Sequence, residues 1–387
     1  MIKICLMSSI PLTLWSFYRS LPRRLKREGI EAHICSSAGS ELEIFADEGV
    51  KTWALPISRK ITPFEDLRSI FKLVRIFKRE RFDIVHAHTP KAGLLGMIAA
   101  KLAGIKNRVY TCHGMPLETE RGLKCWVLKT CEKISFCCAT KVLVVSQSLL
   151  QKVRDYGICN SDKAIVLLDG TACGVDLKRF TKNEVLQNGA KKIRAELGIS
   201  DNDILIGFLG RLVPDKGIGV LLKAFCTLIK EYENIHLVII GDYEPHRGYL
   251  SDKEVDLLDN HVKITHISFT NDIEKYYIAM DMLVLPTRRE GFPYALLEAA
   301  AMELPVIATK VTGCVDAVVD SVSGILVKVD DTIELYEAML KLARDPDLRN
   351  TFGKQGRQRV EKLFDSKLLI DKHISLYEEL IDKDAQR

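Results

Sequence analysis

No Gly-x-Gly-x-x-Gly fingerprint follows the first apolar run of this sequence, and no Gly-x-x-x-x-Gly-Lys-[Ser/Thr] loop occurs anywhere. The first absence removes the turn on which dinucleotide cofactors sit, and the second removes the phosphate cradle of P-loop enzymes. There is no Cys-x-x-Cys pair. The 11 cysteines are odd in number, nine of them precede residue 174, and several sit in apolar runs such as Ile34-Cys35 and Thr111-Cys112. This usage fits small buried hydrophobes in a reducing compartment, not a disulfide scaffold. No stretch of about 18 uninterrupted apolar residues exists, so no spanning helix is expected. The apolar start is broken by Ser8, Ser9 and Pro11, and Arg19, Arg23 and Arg24 follow it, the reverse of a secretory signal. His86, His88 and His113 lack the Cys or carboxylate companions that would complete a metal site.

What is present is an ordinary folded composition, 47% hydrophobic and 28% charged over 387 residues, which exceeds the span of one usual core. The charge is unevenly spread. Residues 1–180 hold 29 Lys and Arg against 17 Asp and Glu, a net +12; the remainder holds 27 against 34, a net −7. Two surfaces with different partners follow.

Short apolar runs alternate with helical stretches throughout. In the front half they cover 2–7, 32–36, 52–57, 83–88, 108–113, 141–146 and 164–168; in the back half, 204–209, 236–241, 262–267, 282–286, 306–309 and 325–329. Near-continuous apolar strands between helices predict parallel sheets covered on both faces. The pattern restarts near residue 203, so the polar stretch 181–203 is the expected boundary between two Rossmann-like α/β domains facing across a cleft. The first spans 1–182 and the second 203–365. In the stretch 64–81, Leu67, Ile70, Phe71, Val74 and Phe77 follow helical spacing and predict a buried face. Residues 15–27 interleave Trp15, Phe17, Tyr18 and Leu21 with Arg19, Arg23, Arg24, Lys26 and Arg27, a pattern that suits either a solvated helix or an anionic lipid surface.

Open α/β sheets bind ligands beyond the carboxyl ends of their strands, which directs attention to three segments. After the run 204–209 comes Gly210-Arg211-Leu212-Val213-Pro214-Asp215-Lys216-Gly217, where Arg211 and Lys216 can clamp a diphosphate at a helix start; a solvated basic loop has the same composition. After 282–286 comes Glu290-Gly291-Phe292-Pro293-Tyr294, with Pro293 suited to the first helical position and Glu298 about 7 Å further along the helix at ~1.5 Å per residue. Two such carboxylates can accept sugar hydroxyls, or serve as plain helix residues. After 108–113, His113 stands on the ligand side, with Gly114 permitting close approach.

Together, Gly210-Arg211 with Lys216-Gly217, Glu290-Gly291-Phe292-Pro293 with Glu298 eight positions on, and Thr111-Cys112-His113-Gly114 resemble retaining glycosyltransferases of family 4, which have the GT-B architecture. Thr89-Pro90-Lys91-Ala92-Gly93 and the run Thr312-Gly313-Cys314-Val315-Asp316 resemble bacterial surface-polysaccharide enzymes, of capsule or O-antigen, that extend glycans on a polyprenyl-diphosphate carrier and include N-acetylgalactosaminyltransferases. The resemblance implies that Arg211 and Lys216 bind the donor diphosphate, that Glu290 holds the donor hexose, and that Gly291, Phe292, Pro293 and Tyr294 lie near the phosphates. Glu298 would bind the ribose, and His113 would sit by the transferred sugar. A C-terminal helix, 366–387, would cross back onto the front domain.

Two departures stand out: Ser8-Ser9-Ile10-Pro11-Leu12-Thr13 replaces a glycine-rich loop, and Pro293 stands where Gly is frequent. The implied activity is retaining transfer of a hexose or N-acetylhexosamine from a nucleotide sugar, UDP-linked, to a lipid-diphosphate-linked glycan. No bound cofactor, required metal or nucleic-acid partner is implied, and the place is the inner face of the cytoplasmic membrane. With no front-half carboxylate placed as a nucleophile, a same-face displacement is expected. The competing readings are a sugar-nucleotide epimerase or hydrolase of similar fold, or an inactive nucleotide-sugar-binding subunit.

Overall fold

Parallel strands buried on both faces satisfy their backbone groups only in the ladder, so the apolar runs pair with one another. The computed structural model describes residues 2–58, 62–244 and 248–385. Its first sheet comprises β1 (Lys3–Met7), β2 (Glu31–Ser36), β3 (Lys51–Ala54), β4 (Ile84–His88), β5 (Asn107–Cys112), β6 (Lys141–Val144) and β7 (Ala164–Ile165), ordered β3-β2-β1-β4-β5-β6-β7. The second comprises β8 (Ile204–Leu209), β9 (Ile235–Ile240), β10 (Ile264–Ile267), β11 (Met282–Leu285), β12 (Val306–Thr309) and β13 (Gly324–Val327), ordered β10-β9-β8-β11-β12-β13. Every neighbouring pair is parallel. All thirteen apolar runs are therefore strands. In each sheet the chain reverses its direction of travel at the first strand: β1 lies between β2 and β4, and β8 between β9 and β11. Doubly wound sheets open their ligand crevice at such a switch point.

The chain divides into two compact units, Met1–Gly174 with Lys367–Arg387, and Val175–Ser366. The division falls at Gly174, ahead of the polar stretch 181–203. That stretch contains the helix Glu184–Glu196, capped by the Asn183 side chain accepting from the Leu186 amide at 2.9 Å, and it belongs to the second unit. Arg194 on this helix donates to the carbonyls of Ala279, Ser200 and Asp203, each at 2.7 Å. Polarity here reflects one exposed helix face and the backbone acceptors that Arg194 satisfies, and the segment is helix, not linker.

The C-terminal helix Ser366–Ala385 packs within the first unit from Lys367 onward. Leu369, Ile374, Leu376 and Tyr377 are buried. His373 donates from Nε2 to the Ala172 carbonyl at 2.8 Å, the Tyr377 hydroxyl meets His86 Nδ1 at 2.6 Å, and Asp371 accepts from Arg24 at 2.7 Å. Among the described residues no helix is long and apolar enough to cross a membrane.

Two expected surfaces are corrected. In the helix Pro63–Glu80 the buried positions are Ser69, Leu73, Phe77 and Glu80, while Leu67 and Phe71 face outward. Lys51 and Arg79 neutralise Glu80 at 2.7 and 3.1 Å, so a carboxylate occupies a core position that apolar counting does not credit. In residues 15–27 the aromatic side faces inward. Tyr18, Leu21 and Leu25 are buried, Trp15 packs edge-on against Phe45 under the Arg19 guanidinium, and Arg23 and Arg24 are paired with Glu48 and Asp371. The aromatic side of this strip thus packs against the unit, while Arg19, Arg23, Lys26 and Arg27 stay exposed.

Replacing Tyr377 by Phe leaves His86 Nδ1 without its partner in the core. A loss of about 1–3 kcal/mol is expected for such an orphaned buried group. Denaturant unfolding of the first unit measures it, and an unchanged midpoint would mean that apolar packing alone holds the helix.

Candidate active site

In the second unit the site is built by loops at the carboxyl ends of β8 and β11. The turn Pro214–Lys216 leads to Gly217, in the left-handed region at φ 73°, which starts the helix Ile218–Leu228. A Cβ on Gly217 would lie 1.9 Å from the Pro286 carbonyl oxygen, so only glycine allows the two loops to touch. The contact is strapped: the Asp215 carbonyl accepts from the Thr287 hydroxyl at 3.1 Å and from the Arg288 amide at 2.8 Å, and the Asp215 carboxylate pairs with Arg289 at 2.9 Å. The strap places Lys216 against Glu290, and the two form a largely buried ion pair. Arg211 turns instead to Glu244 at the end of β9, at 2.9 Å.

Beyond Glu290 the backbone of Gly291 is crossed by Gly313, where a Cβ would come 2.4 Å from the Gly291 carbonyl oxygen. Phe292 is buried, packed edge-on against Phe364 at 5.3 Å. Pro293 precedes the helix Tyr294–Ala301 as its N-cap residue, one position earlier than the first helical place expected for it. Glu298 on that helix accepts from the Tyr277 hydroxyl at 2.9 Å. Burial pushes the Glu298 carboxyl up to about 7, against the opposing pull of the Tyr277 hydroxyl and the Arg179 charge. Lys216 and Glu290 are thus brought together, whereas Arg211 and Glu298 each hold a separate partner.

In the first unit His113 follows β5, with Gly114 at φ 133°. Its Nε2 meets His88 Nδ1 at 3.3 Å, and Phe17 stacks on the ring at 5.6 Å. His86 lies between Thr111 and Tyr377, 2.6 Å from each. Burial, with His373 nearby, pulls His113 down to about 4; burial takes His373 to about 4 and carries His86 and His88 well below the ordinary range. Four neutral imidazoles result, able to pass hydrogen bonds without contributing charge. Where a glycine-rich loop is replaced, Ser9 and Thr89 join the ends of β1 and β4 through a 2.8 Å hydroxyl contact, with Thr89 at φ 71°, a region threonine rarely occupies. Among the described residues no three His, Cys, Asp or Glu side chains are placed to hold a metal ion.

Sequence reading missed Glu244, Tyr277 and the strap residues Asp215, Thr287, Arg288 and Arg289. Glu244 was accessible through the strand-end rule, since it follows β9. Tyr277, in the helix Ile273–Ala279, carries no local signal. Glu132 was also missed. It is buried, pushed up to about 7 by burial, and accepts from the Tyr110 hydroxyl at 2.8 Å, so it faces the core of the first unit.

Two doubly wound parallel units each carry charged side chains beyond their strand ends, the edge at which sheets of this kind bind ligands. Residues 189–359 match the family described as glycosyl transferases group 1, and residues 15–168 match the glycosyl transferase 4-like domain. Over 353 residues, 91% of each chain, the protein is 35% identical to the capsular polysaccharide biosynthesis glycosyltransferase CapM of Staphylococcus aureus. It is 28% identical over 354 residues to the UDP-Gal:alpha-D-GlcNAc-diphosphoundecaprenol alpha-1,3-galactosyltransferase of Escherichia coli, covering 90% of this chain and 88% of that one. The solved structure of Anabaena HepE in complex with UDP shares the fold at a TM-score of 0.80 and 19% identity, covering 98% of this chain and 100% of that chain. The chain belongs to the group 1, family 4-like glycosyltransferases.

Glu298 generates a pH dependence of stability. Its folded pKa of about 7 lies above the ordinary 4.5, so between those values the folded second unit holds the proton more tightly than the unfolded chain. Stability then falls as pH rises across that window, by at most about 1.4 kcal/mol per unit of displacement. Glu298→Gln should flatten the thermal midpoint of this unit between about pH 5 and about pH 8. An unchanged slope would assign the titration elsewhere.

Proposed function

We propose that this glycosyltransferase moves a hexose or N-acetylhexosamine, with retention, from a UDP-linked donor to a glycan on a polyprenyl diphosphate during surface-polysaccharide assembly. It would act at the inner face of the cytoplasmic membrane. The observation that carries the reading is the Lys216–Glu290 pair, held on strapped loops at the carboxyl end of the second sheet. A UDP donor and a lipid-linked acceptor are supported by the name of the Escherichia coli relative, which pairs UDP-Gal and a diphosphoundecaprenol acceptor with an alpha linkage. Capsular assembly is supported by the Staphylococcus aureus relative.

The chemistry follows from charge. Breaking the bond between the sugar and the diphosphate leaves negative charge on the departing phosphate, which Lys216 and Arg211 stabilise in place of Glu290 and Glu244. These cations supply the positive charge a metal would otherwise bring, and the reading requires none. Released from Lys216, Glu290 accepts hydroxyls of the donor sugar. The backbone of Gly291, Phe292, Pro293 and Tyr294 lies by the phosphates, and Glu298 accepts the ribose hydroxyls. His113, neutral, offers a hydrogen bond to the transferred sugar. The acceptor hydroxyl attacks from the face the diphosphate leaves, and the departing phosphate oxygen takes its proton.

Lys216→Ala should lower kcat/KM by about 100-fold or more, the scale of a lost charge-assisted contact to a developing anion. Steady-state kinetics with a UDP-sugar panel and a polyprenyl-diphosphate sugar measure it; unchanged turnover would remove the diphosphate assignment. Glu290→Gln should reduce kcat more than donor affinity, and equal losses would mark Glu290 as a binding group only. Product stereochemistry is checked by NMR of the new linkage, where an α product from an α-linked donor is expected and an inverted one refutes retention. Trapping a covalent sugar–enzyme adduct would refute same-face displacement.

A further inference from the structure

The outward ridge of the helix Pro63–Glu80 consists of Phe64, Leu67 and Phe71, which are 87%, 52% and 66% exposed. Leu123 and Trp126, on the helix Gly122–Cys138, are 76% and 64% exposed. These helices share a side of the unit. The crossovers β3 to β4, β4 to β5 and β5 to β6 all travel the same way across the sheet, so right-handed connection puts their helices on one face. The middle one, Pro90–Leu102, packs between the other two. Its Lys91 is paired with Asp66 of the first, and Cys131 of the third lies within electrostatic reach of both. Phe64 and Leu67 near the start of one helix, and Leu123 and Trp126 near the start of the other, therefore sit toward the carboxyl edge of the sheet, the edge His113 occupies.

Charge identifies the occupant. Arg68, Lys72, Arg75 and Lys78 are exposed beside the ridge, and no carboxylate among the described residues pairs with them. Of the nearby acids, Asp66 is held by Lys91 and Glu120 by Lys124, leaving Glu65 to oppose four cations. A second copy of this chain would set like charges against each other, since the first unit holds 31 Lys and Arg against 21 Asp and Glu. Apolar side chains ringed by cations suit an anionic bilayer, where aromatic rings enter the headgroup level and lysines and arginines meet lipid phosphates.

We infer that Phe64, Leu67, Phe71, Leu123 and Trp126, with the cations Arg68, Lys72, Arg75 and Lys78, form the face by which this enzyme docks on an anionic membrane. This relocates membrane contact from residues 15–27 to the helix-covered side of the first sheet. It rests on the lipid-linked acceptor reading for its purpose: a docked face at the carboxyl edge brings that edge close to the headgroups from which a polyprenyl diphosphate projects.

Flotation of the full chain with phosphatidylglycerol–phosphatidylcholine vesicles, and with phosphatidylcholine alone, tests the inference. Binding to the anionic vesicles, weakened by salt, is expected, with a blue shift of Trp126 fluorescence in a Trp15→Phe, Trp53→Phe background. Reversing Arg68, Lys72 and Arg75 to Glu should cut partitioning by more than 100-fold, since each lost contact is a factor of about 5. Phe64→Ser with Phe71→Ser should abolish the blue shift with an unchanged thermal midpoint, both side chains being exposed. Neutralising Arg23 and Arg24 should leave binding intact. The inference is overturned if the wild type ignores anionic vesicles, if both sets of variants bind as it does, or if the face instead mediates a dimer that the serine variants dissociate. Transfer to a short-chain water-soluble acceptor separates the two readings. Vesicle binding without transfer to any polyprenyl-diphosphate sugar refutes the proposed acceptor alone, and transfer without vesicle binding refutes the docking face alone.

Discussion

The second unit depends on a single close approach: Gly217 against the carbonyl of Pro286, where no side chain can stand. That contact brings the turn Pro214–Lys216 onto the loop after β11, and the Asp215–Arg289 and Asp215–Thr287 bonds then lock the two loops in register. Only with the loops locked does Lys216 meet Glu290 instead of turning to solvent. A lysine and a glutamate drawn out of water must compensate each other, because either alone would carry a desolvation cost of several kcal/mol. The pair is also poised for exchange. An anion that offers Lys216 a stronger contact would free Glu290 at the same moment, so in the proposed function donor binding and release of the carboxylate would be one event.

The first unit solves a different problem. It brings His86, His88, His113 and His373 close together, and four imidazolium ions could not coexist there. Burial settles the matter by disfavouring every charged form. The set then behaves as a neutral hydrogen-bonding lattice, anchored by Thr111 and Tyr377 on His86 and by the Ala172 carbonyl on His373. His113 is the member nearest the loop that ends in Gly114, and its ring is held from two sides, by His88 and by Phe17. A neutral, fixed imidazole suits orientation of a sugar hydroxyl better than proton transfer at neutral pH.

The strands were legible because buried parallel strands need near-continuous apolar side chains between turn residues, a pattern plainest in β1, β8 and β11 and weakest in the partly exposed β3 and β10. Arg211, Lys216 and Glu290 stood out in the sequence because they follow the ends of β8 and β11, and Glu298 because it lies eight positions beyond Glu290. Their partners were not. Lys216 and Glu290 are separated by 74 residues, Arg211 and Glu244 by 33, and Tyr277 and Glu298 by 21, so only the folded sheet brings them into contact. The misread helix face has the same origin. Glu80 is buried because Lys51, on β3, neutralises it, and no periodicity within 64–81 records a residue outside that window. The polarity of 181–203 was likewise ambiguous, since it matches both a linker and a helix whose Arg194 caps three carbonyls.

The uneven charge acquires a division of labour once the units are known. The first unit carries 31 Lys and Arg against 21 Asp and Glu, the second 25 against 30. An acidic unit is a poor long-range attractor for a nucleotide diphosphate, yet screening at physiological salt limits that repulsion to about 8 Å. In the proposed function donor capture would fall to the local set, Arg211 and Lys216, each already desolvated in part and held by a carboxylate. The carboxylates keep these cations oriented while the site is empty and discriminate against weak anions, since a ligand must outcompete Glu244 and Glu290 to gain both contacts. A diphosphate, with several oxygens and more than one charge, can do so where chloride or a lone carboxylate cannot. Net charge thus describes the surface each unit shows from a distance, and the site works by an exchange of partners too short in range for net charge to influence.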